Sequence, residues 1–160
     1  MSKLFLICPD CHIEQAVRNH YENDCFFLTA LGTVFEIESF EHAEDVNILI
    51  HTEQVSAIYI LNDICCSFIS NVLNNKTAYP TKAEITLKSI YRSQQHLIEA
   101  VDDFTHKAKL LARENIHRQA LELLDAAFIG NKIRDGSIQV FGLIYTRETG
   151  EFEEFRVPIP

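Results

Sequence analysis

The sequence predicts an α/β fold in which a central, mainly parallel β-sheet is flanked by helices and ends in an antiparallel C-terminal strand pair. Two observations predict the parallel part. Short apolar runs recur along the first half of the chain, and segments with helical spacing of apolar residues separate them. A third observation, two β-branched and aromatic runs joined by a tight turn near the end, predicts the antiparallel pair.

The first half of the chain carries the alternating pattern. Residues 4–8, 25–29 and 57–61 are short apolar runs and are predicted as buried strands. Apolar residues recur at helical spacing over residues 13–21 and 43–50, which predicts one helix between each pair of strands. Two parallel βαβ units follow from this order.

The second half is predicted to be helical before its final strands. Pro80 precedes Thr81-Lys82-Ala83-Glu84, a capping-box pattern that predicts a helix start. A stripe of apolar residues spaced by four and three then predicts a continuous surface that forms core or the interface of a homodimer: Leu97, Val101, Phe104, Ala108 and Leu111. Helical character continues to about Gly130.

The last segment predicts the strand pair. Residues 137–146 and 152–157 are rich in β-branched and aromatic side chains, and Glu148-Thr149-Gly150 forms a turn between them.

Length and charge restrict the class of protein. The 160 residues fit one domain, predicted over residues 1–160, and 47% hydrophobic with 23% charged residues excludes a disordered chain. A net charge of −9 without a basic stripe argues against nucleic-acid binding. Because the sequence has neither a membrane-length apolar run nor a signal-peptide pattern, we expect no membrane partner and a cytoplasmic location.

The cysteines are the main candidates for chemistry. There are five, Cys8, Cys11, Cys25, Cys65 and Cys66, and an odd number without an export signal predicts reduced thiols, a metal site or redox chemistry. Cys25 lies in an apolar run and is expected in the core. The other four form two pairs that follow the first and third predicted strands. If those strands are neighbours, both pairs meet at one edge of the sheet.

Several motifs resemble those of the β-class carbonic anhydrases. Cys8-x-Asp10-x-His12 resembles that family's Cys-x-Asp-x-Arg motif, and residues 57–66 fall where the family has an apolar strand followed by His-x-x-Cys. Glu114-Asn115-Ile116-x-x-Gln119 is similar to the family's Glu-Asn-Val-x-x-Gln helix start. Residues 141–145 and 148–150 resemble its C-terminal segment.

The resemblance implies a zinc site with altered residues. The family holds zinc with two cysteines and a histidine, which match Cys8, Cys66 and the position of Asp63. The implied metal ligands are therefore Cys8, Asp63 and Cys66. Asp10 matches the aspartate of the family's Asp–Arg pair and His12 replaces the arginine, so Asp10 and His12 are the implied catalytic residues.

These departures predict that reversible CO2 hydration, the family's lyase reaction on CO2 and bicarbonate, is weak or lost. An aspartate in place of a neutral imidazole makes the site more negative and raises the pKa of a metal-bound water. Histidine lacks the permanently charged fork of arginine. Asp10 would then be free to turn to the metal and close its open position, leaving a structural site.

Four alternatives stay open at this stage. The chain is a non-catalytic binding relative with a closed metal site or none, or a thiol redox protein that uses Cys8 and Cys11, a CxxC pair before a helix. A shift of one residue would pair Asn62 with Cys65 instead of Asp63 with Cys66, although asparagine is a poor zinc ligand. Asp63 could also be a helix N-cap.

Overall fold

Five strands form a single sheet in a computed structural model that describes residues 1–22, 24–37, 41–76 and 80–160. The strands are β1 (Ser2–Ile7), β2 (Cys25–Thr29), β3 (Val55–Asp63), β4 (Gln139–Thr146) and β5 (Glu151–Arg156). Their order across the sheet is β2-β1-β3-β4-β5. β1 pairs in parallel with β2 and β3, β3 pairs in parallel with β4, and β4 and β5 are antiparallel. The predicted fold class is confirmed.

Helices and two short 3-10 turns connect the strands. The helices are α1 (Glu14–Tyr21), α2 (Ala43–Thr52), α3 (Ser67–Leu73), α4 (Lys82–Ser93), α5 (Gln95–Ile98), α6 (Phe104–Asp125) and α7 (Gly130–Arg134). The 3-10 turns are Pro9–Cys11, directly after β1, and Leu31–Thr33, after β2. None of the described helices is long and apolar enough to cross a membrane.

The middle of the sheet is the core of the molecule. Residues 4–7 of β1 are at most 1% exposed, and so are residues 60 and 61 of β3. Strands buried on both faces read as continuous apolar runs, which is why the sequence pattern locates them. β3 extends two residues beyond the predicted end, because Asn62 and Asp63 continue the register with β4 opposite Ile144 and Tyr145.

The predicted apolar stripe over residues 97–111 is not continuous. α5 ends at Ile98, and α6 begins only at Phe104. Asp103 caps α6 by accepting a hydrogen bond from the backbone N–H of His106 at 2.8 Å, which satisfies a donor of the first turn and fixes the helix start there. Leu97 is therefore 51% exposed instead of part of one long helical face.

The start of α4 confirms the predicted cap. The Thr81 hydroxyl accepts a hydrogen bond from the backbone N–H of Glu84 at 3.2 Å. The helix begins at Lys82, as the capping-box pattern predicts.

Two buried polar side chains of α6 hold the segment that follows β2. The Asn115 amide nitrogen lies 3.2 Å from the Gly32 carbonyl, 3.3 Å from the Thr33 carbonyl and 3.0 Å from the Asn62 amide oxygen. The backbone N–H of Phe35 donates to the Gln119 side chain at 2.8 Å. Because buried carbonyls need donors and buried N–H groups need acceptors, these contacts fix residues 31–35 against the helix.

Replacing Asn115 with alanine is expected to destabilise the fold. Each buried acceptor left without a donor costs about 1–3 kcal/mol of the free energy of unfolding. Urea unfolding of Asn115→Ala, followed by circular dichroism, measures the loss. Arg118→Ala is the control on the same helix, where an exposed pair with Glu122 is worth at most about 1 kcal/mol. Equal stability of the two variants would contradict the anchoring role of Asn115.

Candidate metal centre

The carboxyl ends of β1 and β3 bring two cysteines together. The strands are parallel neighbours, so the chain leaves both at the same edge of the sheet. Cys8 directly follows β1, and Cys66 lies three residues beyond the end of β3. Their sulfur atoms are 3.9 Å apart, which confirms that the two cysteine pairs meet.

A third sulfur completes the cluster. In the turn Pro9–Cys11 the backbone N–H of Cys11 donates to the Cys8 carbonyl at 3.2 Å. In a 3-10 turn side chains three residues apart lie on the same side, so Cys11 points where Cys8 does. The Sγ atoms of Cys8, Cys11 and Cys66 all lie within 4.8 Å of one another, and the residues are 2%, 5% and 2% exposed. We call these residues the thiol cluster; among the described residues it includes no carboxylate or imidazole.

The surroundings of the thiol cluster favour a thiolate at Cys8. Hydrogen bonds from the Cys11 and Cys66 thiols lower the pKa of the Cys8 thiol, and the backbone N–H of Gly32 donates to its sulfur at 3.2 Å. Donating hydrogen bonds toward Cys66 and Cys8 raises the pKa of the Cys11 thiol. A thiolate at Cys8 that accepts hydrogen bonds from two neighbouring thiols is an arrangement in which a metal cation can take the place of the thiol protons.

The donor set fits zinc. Tetrahedral zinc binds thiolate sulfur at about 2.3 Å, which separates two such sulfurs by about 3.8 Å. The 3.9 Å between Cys8 and Cys66 agrees with that spacing.

The carboxylate of Asp63 contacts other groups than the thiol cluster. One oxygen accepts a hydrogen bond from the backbone N–H of Cys65 at 2.8 Å. The other accepts from Arg147, at 2.7 Å from Nη2 and 3.1 Å from Nε. The Asp63 side chain is 0% exposed. A metal-ligand role for Asp63 stays a prediction, and it requires the carboxylate to move toward the sulfurs, because Asp63 is not among the potential ligands whose atoms all lie within 4.8 Å of one another.

The structure also bears on two other hypotheses for this segment, an N-cap role for Asp63 and the register that pairs Asn62 with Cys65. α3 is capped by Cys66 and not by Asp63, so the N-cap reading of Asp63 is wrong. Asn62 contacts Asn115, on the side of α6, and Cys65 is exposed while Cys66 is buried. Of the two adjacent cysteines, only Cys66 thus belongs to the buried thiol cluster.

The two implied catalytic residues, Asp10 and His12, have different surroundings. The Asp10 carboxylate accepts a hydrogen bond from the Ser67 hydroxyl at 2.5 Å. His12 is exposed and has a left-handed backbone, with φ of 50°. Within the described ranges no hydrogen bond joins Asp10 to His12, and their catalytic roles stay predictions.

Sequence reasoning missed two members of this region. The CxxC spacing indicates Cys11 only as a redox partner of Cys8, although its place in a 3-10 turn puts both sulfurs on one side. Arg147 belongs to none of the motifs described above. It directly follows β4, whose carboxyl end lies at the same edge of the sheet as those of β1 and β3, and that position was the available signal.

Comparison with known proteins identifies the origin of this fold. A family model for carbonic anhydrase matches residues 3–152. The structure is similar to the β-carbonic anhydrase CafA of Aspergillus fumigatus, with a TM-score of 0.83, 17% identity, and coverage of 99% of this chain and 77% of that one. A Coccomyxa β-carbonic anhydrase solved in complex with acetazolamide is similar with a TM-score of 0.76 and 13% identity, and the match covers 99% of this chain and 73% of that one. One of two tetrameric β-carbonic anhydrases from Sordaria macrospora is similar with a TM-score of 0.79 and 14% identity, and the match covers 96% of this chain and 80% of that one. No curated protein matches the sequence.

Serine substitutions should separate ligands from bystanders. We expect about one zinc ion per chain, and we expect Cys8→Ser, Cys11→Ser and Cys66→Ser each to weaken zinc binding by more than about tenfold. Competition with a chromophoric chelator measures the affinity. Cys65→Ser is the matched control, because it removes an exposed thiol next to Cys66, which lies in the buried thiol cluster. Affinity that survives Cys11→Ser but falls with Asp63→Ala would favour the set Cys8, Asp63 and Cys66 instead.

Proposed function

The chain belongs to the carbonic anhydrase family and has the fold of its β class, and we propose that it is a zinc-binding member in which reversible CO2 hydration is weak or lost. The observation that carries the proposal is the buried thiol cluster at the carboxyl ends of β1 and β3. Zinc is the proposed cofactor, with Cys8 and Cys66 in the family's cysteine positions and Cys11 as the third ligand. CO2 and bicarbonate are the proposed substrates of any residual activity.

The charge of three thiolates supports weak hydration. When bound, zinc supplies a Lewis acid that lowers the pKa of a coordinated water, and this effect weakens as the ligands become more negative. Three thiolates bring a charge of −3, whereas two thiolates and an imidazole bring −2. Burial of all three sulfurs also restricts access of water and CO2 to the cluster.

The groups that could move or orient a proton are engaged elsewhere or exposed. Asp10 accepts from a neutral hydroxyl, Ser67, and not from a guanidinium. Arg147 is the guanidinium near the cluster, and it binds Asp63. Without an arginine to hold it, the Asp10 carboxylate lacks the oriented partner that the family's Asp–Arg pair provides.

Location and assembly are further parts of the proposal. Thiol ligands persist in a reducing compartment, so we place the protein in the cytoplasm. We propose a homodimer as its assembly. The exposed side chains of Leu97 and Phe104, 51% and 43% accessible, offer apolar surface for one.

A redox function is the second candidate, favoured by the 3.9 Å between the sulfurs of Cys8 and Cys66. In this reaction the Cys8 thiolate attacks a disulfide substrate and a mixed disulfide forms. A second thiol of the cluster then displaces the substrate. The substrate leaves as two thiols, having gained two electrons and two protons, and the cluster keeps a disulfide.

Stopped-flow CO2 hydration tests the main proposal. Loss of an oriented proton-transfer partner costs about 10²–10⁴-fold, so we expect the zinc-loaded protein to be at least about a hundredfold slower than typical family members. The variant His12→Arg, which places an arginine two residues after Asp10 as in the family's motif, should raise the rate. His96→Arg is the control, because it adds the same charge at an exposed position on α5. Hydration at a typical family rate by the unmodified chain would contradict the proposal.

A separate measurement decides the redox candidate. The reduced, metal-free protein is incubated with oxidised glutathione, and its disulfides are mapped by mass spectrometry. The redox candidate requires a disulfide within the cluster that a dithiol reduces and that Cys8→Ser abolishes. Formation of mixed disulfides at Cys65 alone would eliminate it.

A further inference from the structure

We propose that Arg147 and Asp63 are a positioning pair for the metal centre, which sets the place of Cys11 and so decides whether the chain offers three sulfur ligands or two. The inference rests on the proposed metal binding by the thiol cluster. It assigns a role to an arginine that comes from the hairpin between β4 and β5, far along the chain from the cysteines.

The guanidinium of Arg147 joins the two segments that carry the ligands. Its Nη2 donates to the backbone carbonyl of Cys11 at 3.0 Å and to the Asp63 carboxylate at 2.7 Å. Its Nε donates to the same carboxylate oxygen at 3.1 Å. One side chain thus contacts the turn after β1 and the last residue of β3.

Asp63 extends this connection to the segment of Cys66. Its other oxygen accepts from the backbone N–H of Cys65, the residue before Cys66. The contacts therefore run from the Cys11 carbonyl through Arg147 and Asp63 to the peptide beside Cys66. One end of the connection is the backbone of Cys11, and the other is the peptide that precedes Cys66.

The turn that holds Cys11 needs such a contact. It is three residues long, and His12, which follows it, has a φ of 50°, a left-handed conformation that a non-glycine residue adopts only at a cost in energy. The hydrogen bond from Arg147 to the Cys11 carbonyl offsets that cost. Without it, the turn is expected to relax and Cys11 to leave the other two sulfurs.

Arginine suits this role better than lysine. Its planar fork reaches the carboxylate and the carbonyl together, whereas an ammonium group lacks that fixed geometry. The Asp63 carboxylate is fully buried and the Arg147 side chain 51% exposed, so the positive charge lies between solvent and the buried acid. The ion pair with Asp63 also raises the pKa of Arg147, which keeps the guanidinium charged.

Cobalt(II) titration of the reduced, metal-free chain tests the pair. Cobalt(II) reports thiolate ligands by the intensity of its near-ultraviolet charge-transfer band. Removing a group that orients a ligand typically costs about 10–100-fold in metal affinity, and we expect that loss in Arg147→Gln. We also expect its band to fall to that of Cys11→Ser, and the double variant Arg147→Gln with Cys11→Ser to be no weaker than Cys11→Ser alone.

Three further variants make the test specific. Arg156→Gln is the matched control, because it removes a charge from the same hairpin at the opposite end of the sheet, and it should bind like the unmodified chain. Arg147→Lys keeps the charge without the fork and should stay well below wild-type affinity. If Arg147→Gln does not fold, Asp63→Asn replaces it, since it removes the ion pair with little change of shape, and the same loss is expected.

The outcomes separate the inference from the function on which it rests. Wild-type affinity and band intensity in Arg147→Gln, or full recovery in Arg147→Lys, overturn the positioning role and leave the three-cysteine site standing. Additive losses in the double variant overturn it as well. Failure of the unmodified chain to bind cobalt(II) or zinc overturns the proposed metal function itself, and the inference with it.

Discussion

The parallel pairing of β1 with β3 is the constraint on which the site depends. Parallel strands end at the same edge of the sheet, so the residue that follows β1 and those that follow β3 share one small volume. No direct link along the chain could hold Cys8 and Cys66 together so closely, because 58 positions separate them. The ladder between two buried strands does this with main-chain hydrogen bonds that the rest of the core protects.

Helix α6 and the segment after β2 also help to position the thiol cluster. Asn115 and Gln119 of α6 fix the segment after β2, and in that segment the backbone N–H of Gly32 donates to the Cys8 sulfur. Gly32 has a φ of 64°, which favours glycine, and a Cβ there would lie 3.2 Å from Leu87. The motif around Asn115 therefore has a structural reason that does not depend on catalysis: it supports the thiolate through a glycine.

The sequence was sufficient for the fold and for part of the site. Buried strands and alternating helices leave strong periodic patterns, and the rule for parallel sheets then predicts that Cys8 and Cys66 meet. The position of the Cys11 sulfur depends on a 3-10 turn. The ion pair of Asp63 depends on the direction in which the turn between β4 and β5 points the Arg147 side chain. Such side-chain directions are set by tertiary packing and leave no periodic signal. The prediction of one continuous apolar stripe over residues 97–111 is wrong for a similar reason, because the N-cap at Asp103 starts α6 at Phe104 whatever the apolar spacing before it.

The distribution of the site along the chain has a consequence for how the protein matures. Cys8 and Cys11 are synthesised first, Cys66 joins them only when β3 pairs with β1, and Arg147 arrives with the last hairpin. Contacts between such distant parts of a chain form late in folding, because loop-closure entropy opposes them. Before β3 pairs with β1, the segment that follows β1 therefore holds only two of the three sulfurs of the thiol cluster. The three sulfurs of the proposed zinc site come together only once β3 and the last hairpin have joined the sheet, so the proposed site depends on the finished fold.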